Sequence, residues 1–180
     1  MVLRFATFVF AVMLLALRAP GQAMDEYQVK AAFLYNFAKF VEWPPEAFKA
    51  PKDPILVCVL GHNPFGNALE DAIRGKSIGG RAFAYRQVSD AESASACQIL
   101  FIGSAESKHL RSLLENLKPM GILTVGDAQG FAADGGVINF KLDDGRVHFQ
   151  INTEAAEHEQ LHISAKLLSL AQIVKTEKLR

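Results

Sequence analysis

The chain has 180 residues, 50% of them hydrophobic and 21% charged, with 19 basic side chains balanced by 19 acidic ones. That composition excludes a disordered or collagen-like chain. Zero net charge offers no broad positive field for a phosphate backbone, so no nucleic-acid partner is expected.

Met1–Arg4 carries one positive charge, and Phe5–Leu17 (FATFVFAVMLLAL) is an apolar run shorter than the ~20 residues a spanning helix needs. Arg18, Pro20 and Gly21 break it. Gly21-Gln22-Ala23 then places small residues where a signal peptidase reads them, so residues 1–23 are expected to form a cleaved secretory signal. No Cys follows the leader, which argues against a lipoprotein. What remains, 24–180, is a single domain's worth of chain with a formal charge of −2 once Arg4 and Arg18 are gone. It contains no second apolar run long enough to span a membrane.

Glu26–Val41 reads as an amphipathic helix whose apolar stripe is Val29, Ala32, Phe33, Asn36, Phe37, Phe40 and Val41, with Pro44-Pro45 as its stop. Ile55–Leu60 (ILVCVL) is the continuous apolar run of a strand buried on both faces, and a helix over 64–74, opened by Asn63 or Pro64, is expected after it. Arg81–Val88 is expected as a second strand and Gln98–Ile102 as a third. Ser104 can cap a helix over 105–117 before a fourth strand at 122–125. Alternating strands and helices predict parallel pairing with right-handed crossovers.

The pattern then changes. Val137–Leu142 and Val147–Ile151 flank Asp143-Asp144-Gly145, a hairpin signal. Asn152 can cap a short helix through His158, and Ser164 can open a last helix with Leu167, Leu168, Leu170, Ala171 and Val174 on its apolar face. The predicted fold is therefore α/β: one domain, a mixed but mostly parallel sheet flanked by helices, ending in a β-hairpin and a helix.

No motif demands catalysis, and no catalytic residue is assigned. Gly75-Lys76-Ser77 lacks the Gly that a phosphate-binding loop needs five residues earlier, because position 70 is Glu70. His158 and His162 have i, i+4 spacing with Glu154 nearby, but Ser164 opens a new helix and no zinc-hydrolase pattern surrounds them, so neither a metal nor another cofactor is expected. Asp143 and Asp144 are turn residues, and no Gly-x-Ser-x-Gly elbow occurs. Gly61 and Gly103, at strand-to-helix junctions, mark the crevice where a small ligand would sit in such a sheet. Cys58 and Cys97 are the only cysteines, on strands that are neighbours in a doubly wound sheet; they form either a disulfide or two buried thiols.

Six segments, in order, resemble the YfiR-like family of small periplasmic regulators: Val29–Pro44 (VKAAFLYNFAKFVEWP), Val57–Gly66 (VCVLGHNPFG), Cys97–Ser104 (CQILFIGS), Leu123–Asp127 (LTVGD), Phe131–Phe140 (FAADGGVINF) and Phe149–Leu170 (FQINTEAAEHEQLHISAKLLSL). The first is the most specific, since a generic helix requires no Asn36, Phe40, Glu42 and Trp43 string. The resemblance implies a periplasmic α/β domain, often a homodimer, that binds the periplasmic sensor region of an inner-membrane diguanylate cyclase and holds that enzyme inactive. An outer-membrane lipoprotein that sequesters the repressor is the second implied partner. Cys58 and Cys97 match the family's inter-strand cysteine pair, whereas a second pair near Phe131–Asn139 is absent. Trp43 is either an exposed interface anchor or a half-buried helix-end residue. Gln150, Glu157 and His162 form the second candidate surface, because the family's partner and ligand contacts cluster near that strand-to-helix segment.

Overall fold

The computed structural model describes residues 21–117 and 121–177, with side chains from residue 26. The expected leader falls outside the described residues except for Gly21–Ala23, which open helix α1 (Gly21–Ala38). Next in chain order come β1 (Val41–Glu42), β2 (Ile55–Leu60), α2 (Ala68–Ile73), β3 (Ser77–Ile78), β4 (Arg81–Val88), α3 (Ala91–Ala94), β5 (Ile99–Ile102), α4 (Leu110–Asn116) and β6 (Leu123–Gly126). The chain ends with β7 (Ile138–Asp143), β8 (Arg146–Asn152), α5 (Thr153–His158), β9 (His162–Ile163), α6 (Ala165–Leu168) and β10 (Gln172–Val174).

One eight-stranded sheet in the order β10-β8-β7-β6-β5-β2-β4-β3 organises the molecule, with β1 and β9 as a separate antiparallel pair. Pairing is parallel from β4 through β2, β5 and β6 to β7, and again between β10 and β8; only β3–β4 and β7–β8 are antiparallel. This is the mixed, mostly parallel α/β sheet that the alternating sequence predicts. Counting β2 as first, the strands β4-β2-β5-β6-β7 follow the doubly wound order 2-1-3-4-5, whose direction reverses between β2 and β5.

Continuous apolar runs make β2 and β5 buried on both faces. On one face Val57, Val59, Phe101 and Val125 pack under α1 and α2; on the other Cys58, Leu100 and Ile102 pack under α3 and α4. Two of the four glycines in the segment 126–136 have a steric reason: the buried Phe131 ring lies where a side chain at Gly126 or Gly136 would be. The Cys58–Cys97 disulfide is formed, with Cα atoms 6.0 Å apart. It ties β2 to the start of β5 on the α3 face.

Several elements differ from their sequence expectation. The buried stripe of α1 is Lys30, Ala31, Leu34, Phe37 and Ala38, while Val29, Ala32 and Asn36 face solvent and Val41, also buried, belongs to β1. The helix is apolar on most sides, so periodicity fits two stripes almost equally; scoring Lys30 as polar selects the wrong one. The helix expected over 64–74 forms only from Ala68, because Asn63 is held in a side-chain turn, accepting from the Phe65 amide and donating to the Gly66 carbonyl. Ser104 caps no helix: a 3-10 segment over Ser104–His109 precedes α4, and the Ser104 amide donates to Asp127. The last helix is one turn long, capped by Ser164 as expected, after which residues 172–174 become the edge strand β10 beside β8. Leu170, assigned to a buried face, is 68% exposed.

Candidate functional site

The topological reversal places Gly61, at the end of β2, beside Gly103, at the end of β5, as the crevice expectation requires. The crevice between them is filled by the chain itself, while a cleft of about 500 Å³ lined by Tyr27, Pro64 and Phe65 opens nearby. Gly61 has φ +66°, and the Glu106 carboxylate lies where its side chain would project, while Gln87 Nε2 donates to the Gly61 carbonyl at 2.6 Å. Next to it, Asp127 follows β6 and collects three donors: Lys30 Nζ at 2.7 Å, the Tyr27 hydroxyl at 2.9 Å and the Ser104 amide at 2.9 Å. Lys30 also meets Glu26 at 2.6 Å, and its side chain is only 4% exposed.

A lone lysine in that position would be expelled or neutralised. Two carboxylates and the Tyr27 ring, 4.3 Å from Nζ, make its burial tolerable. Burial, reinforced by the Asp127 charge, pushes the Tyr27 phenol well above its ordinary range. The knot pins the start of α1 to the carboxyl-terminal end of the sheet. Sequence reasoning missed it; the available signals were a lysine on a helix stripe and the acid ending the LTVGD segment.

The opposite, amino-terminal end gathers three of the four candidate contact residues. Glu42 of β1 pairs with His162 of β9, so Trp43 emerges beside His162, and α5 delivers Glu157 into the same neighbourhood through the turn preceding β9. Glu157 and His162 are exposed. Trp43 is half-buried and donates its indole N–H to the Gln98 carbonyl at 3.1 Å. Gln98, itself buried, accepts from the Leu56 amide and donates to the Ala47 carbonyl, cementing the loop before β2 to the start of β5. A cleft of about 330 Å³ opens there, lined by Ala47, Arg86, Cys97 and Gln98 among others.

Gln150 lies elsewhere. It sits in a ladder of amides across β7, β8 and β10, accepting from Asn139 at 3.3 Å and donating to Gln172 at 2.9 Å. Level with Gly126 through Asn139, the ladder belongs to the carboxyl-terminal end. The two histidines do not share a helix face: His158 ends α5, Gln160 turns the chain at φ 56°, and His162 is in β9. Among the described residues no group of three or more His, Cys, Asp or Glu side chains is arranged to hold a metal ion, and no helix is long and apolar enough to cross a membrane.

A solved structure of a conserved domain protein from Vibrio cholerae O1 biovar El Tor shares the fold, with a TM-score of 0.54 at 9% identity over 83% of this chain. The chain spans 60% of that protein's length. No curated protein matches the chain. The family model described as YfiR/HmsC-like (DUF4154) matches residues 27–172, from Tyr27 of the ionic knot to Gln172 of the amide ladder, so the chain belongs to this family.

Proposed function

We propose that this protein is exported through a leader cleaved after Ala23, binds the periplasmic sensor region of an inner-membrane diguanylate cyclase, and represses cyclic di-GMP synthesis. The observation carrying this reading is the family match over residues 27–172. The contact surface we assign is the amino-terminal end of the sheet, where Glu157 and His162 are exposed beside Trp43. Gln150 is a separate contact at the other end. An outer-membrane lipoprotein that sequesters the protein, and self-association as a homodimer, belong to the same proposal.

The chemistry of the amino-terminal end suits docking better than turnover. It presents an indole, an imidazole and carboxylates on short secondary structures, with no nucleophile hydrogen-bonded to a base there among the described residues. Deleting the gene is expected to raise cellular cyclic di-GMP, and the purified protein to bind the cyclase's periplasmic region. Unchanged nucleotide levels together with no detectable binding would refute the proposal.

A second reading, a small-molecule sensing module, is favoured by Gly61 and Gly103 at the reversal point of the sheet. A thermal-shift screen with amino acids and aromatic metabolites tests it, since a ligand of the native state must raise the melting temperature. No shift with any of them counts against it.

A further inference from the structure

Three cations near the amino-terminal end, on the α1–α2 side, lie close over aromatic rings without a carboxylate, and Lys166 lies farther out, 5.6 Å from the Phe40 ring centre. Lys39 Nζ and Lys76 Nζ lie 4.2 and 4.1 Å from the centre of the Tyr35 ring, and the Arg81 guanidinium lies 3.7 Å from that of Phe48. Tyr35 is braced edge-on by Phe83 at 5.5 Å, so the floor under the lysines is fixed. Among the described residues no acid comes within 4.0 Å of these three. The neighbouring loop adds no net charge, since Lys49 and Lys52 are offset there by Glu46 and Asp53. A domain whose predicted exported form is net negative thus keeps three positive charges unneutralised in one region.

We propose that this region rests on an anionic phospholipid surface, which orients the protein on the membrane. The geometry separates that occupant from a single carboxylate or phosphate ligand, which is recognised by donors converging on one point. Here donors are already engaged inside the protein: Lys39 Nζ bonds Asn36 Oδ1 at 3.0 Å, and Arg81 Nη1 bonds the Ala50 and Asp53 carbonyls at 3.1 and 2.8 Å. The cations also come from three separate segments, the turn after α1, the α2–β3 connection and β4. Their remaining donors are spread over these segments rather than converging on one point, and a lipid surface with many headgroup phosphates matches such a spread. Tyr35, Phe48 and Phe83 are half-buried, so no ring is free to wedge into the acyl layer and the contact is electrostatic, reversible and salt-sensitive. Each cation near an anionic leaflet raises partitioning about fivefold, and three raise it about a hundredfold. The proposal is independent of the repressor reading.

Vesicle co-sedimentation tests it, using protein recovered after expression of the full chain, with vesicles of equal parts phosphatidylglycerol and phosphatidylcholine against phosphatidylcholine alone. Binding to the mixed vesicles only is expected, weakening with added salt and falling about 25-fold in the Lys39→Gln/Lys76→Gln double variant, at about fivefold per cation. Lys108→Gln, at the other end of the sheet, should bind as the unaltered protein does. Equal partitioning to both vesicle types, or full binding by the double variant, overturns the proposal. So does capture of soluble polyglutamate through the same lysines without vesicle binding, which would assign the surface to an acidic protein segment instead.

Discussion

The two ends of the parallel sheet are built on opposite principles. At the carboxyl-terminal end, where doubly wound folds commonly place their ligands, charges are internal: Lys30 is matched by Glu26 and Asp127, and Glu106 lies across Gly61. At the amino-terminal end a neutral chain of hydrogen bonds runs from Trp43 through Gln98 to Leu56 and Ala47, Glu159 accepts from the Ile122 amide, and Glu157 and His162 face outward. A buried ion pair gains little net stability over apolar packing but is costly to break, so it serves to fix one arrangement. The crevice between Gly61 and Gly103 is thus closed by the chain itself, with a separate cleft beside it lined by Tyr27, Pro64 and Phe65, whereas the amino-terminal end presents Glu157 and His162 as exposed side chains.

The largest effect should come from breaking the closed end. Lys30→Met strands two carboxylates and is expected to cost about 3 to 5 kcal/mol in chemical denaturation, with a smaller loss when Asp127→Asn accompanies it. Equal losses in the single and double variants would show that the charges are not coupled. At the open end, Cys58→Ser/Cys97→Ser removes a bridge closing a sequence separation of 39 and should cost about 3 to 4 kcal/mol in the chain-entropy model. A loss below about 1 kcal/mol would mean that Gln98 and the sheet alone hold that end.

Trp43→Phe should cost only about 0.5 to 1.5 kcal/mol, because the Gln98 carbonyl keeps the Leu123 amide as a second donor. The smallest effect is an alkaline one. Tyr27 has a folded-state pKa raised above its unfolded value, so its contribution is complete below about pH 10 and is lost as pH rises toward the folded value. Stability measured against pH should therefore fall on the alkaline side, and Tyr27→Phe should flatten that limb; an unchanged limb would place its origin elsewhere.

Legibility in the sequence tracked locality. The Asp143-Asp144-Gly145 turn, with Asp144 at φ 46° and Gly145 at φ 72°, and the Asn152 cap, accepting from the Ala155 amide, are set by residues a few positions apart. So are β2, β4 and the burial of β5. What escaped was set by distant partners. Ser104 has cap chemistry, but its amide is taken by an acid 23 residues away. Residues 172–174 continue a helical apolar pattern, yet pair with 150–152 as β10. Trp43 left two readings open in the sequence; the residue follows β1, beyond the end of α1, and its half-buried indole is bonded to the distant Gln98. Gln150 and His162, close in sequence, lie at opposite ends because α5 carries the chain from one to the other.

The central claim, docking through the open end, is most directly tested by titration calorimetry of the protein with the periplasmic region of the membrane diguanylate cyclase from the same genome. The account predicts saturable binding that weakens at least about tenfold in Glu157→Ala/His162→Ala, two exposed positions, corresponding to about 1.4 kcal/mol, and is unchanged in Lys108→Ala at the closed end. Absence of binding, or binding that responds to Lys108 and not to Glu157 and His162, would contradict it.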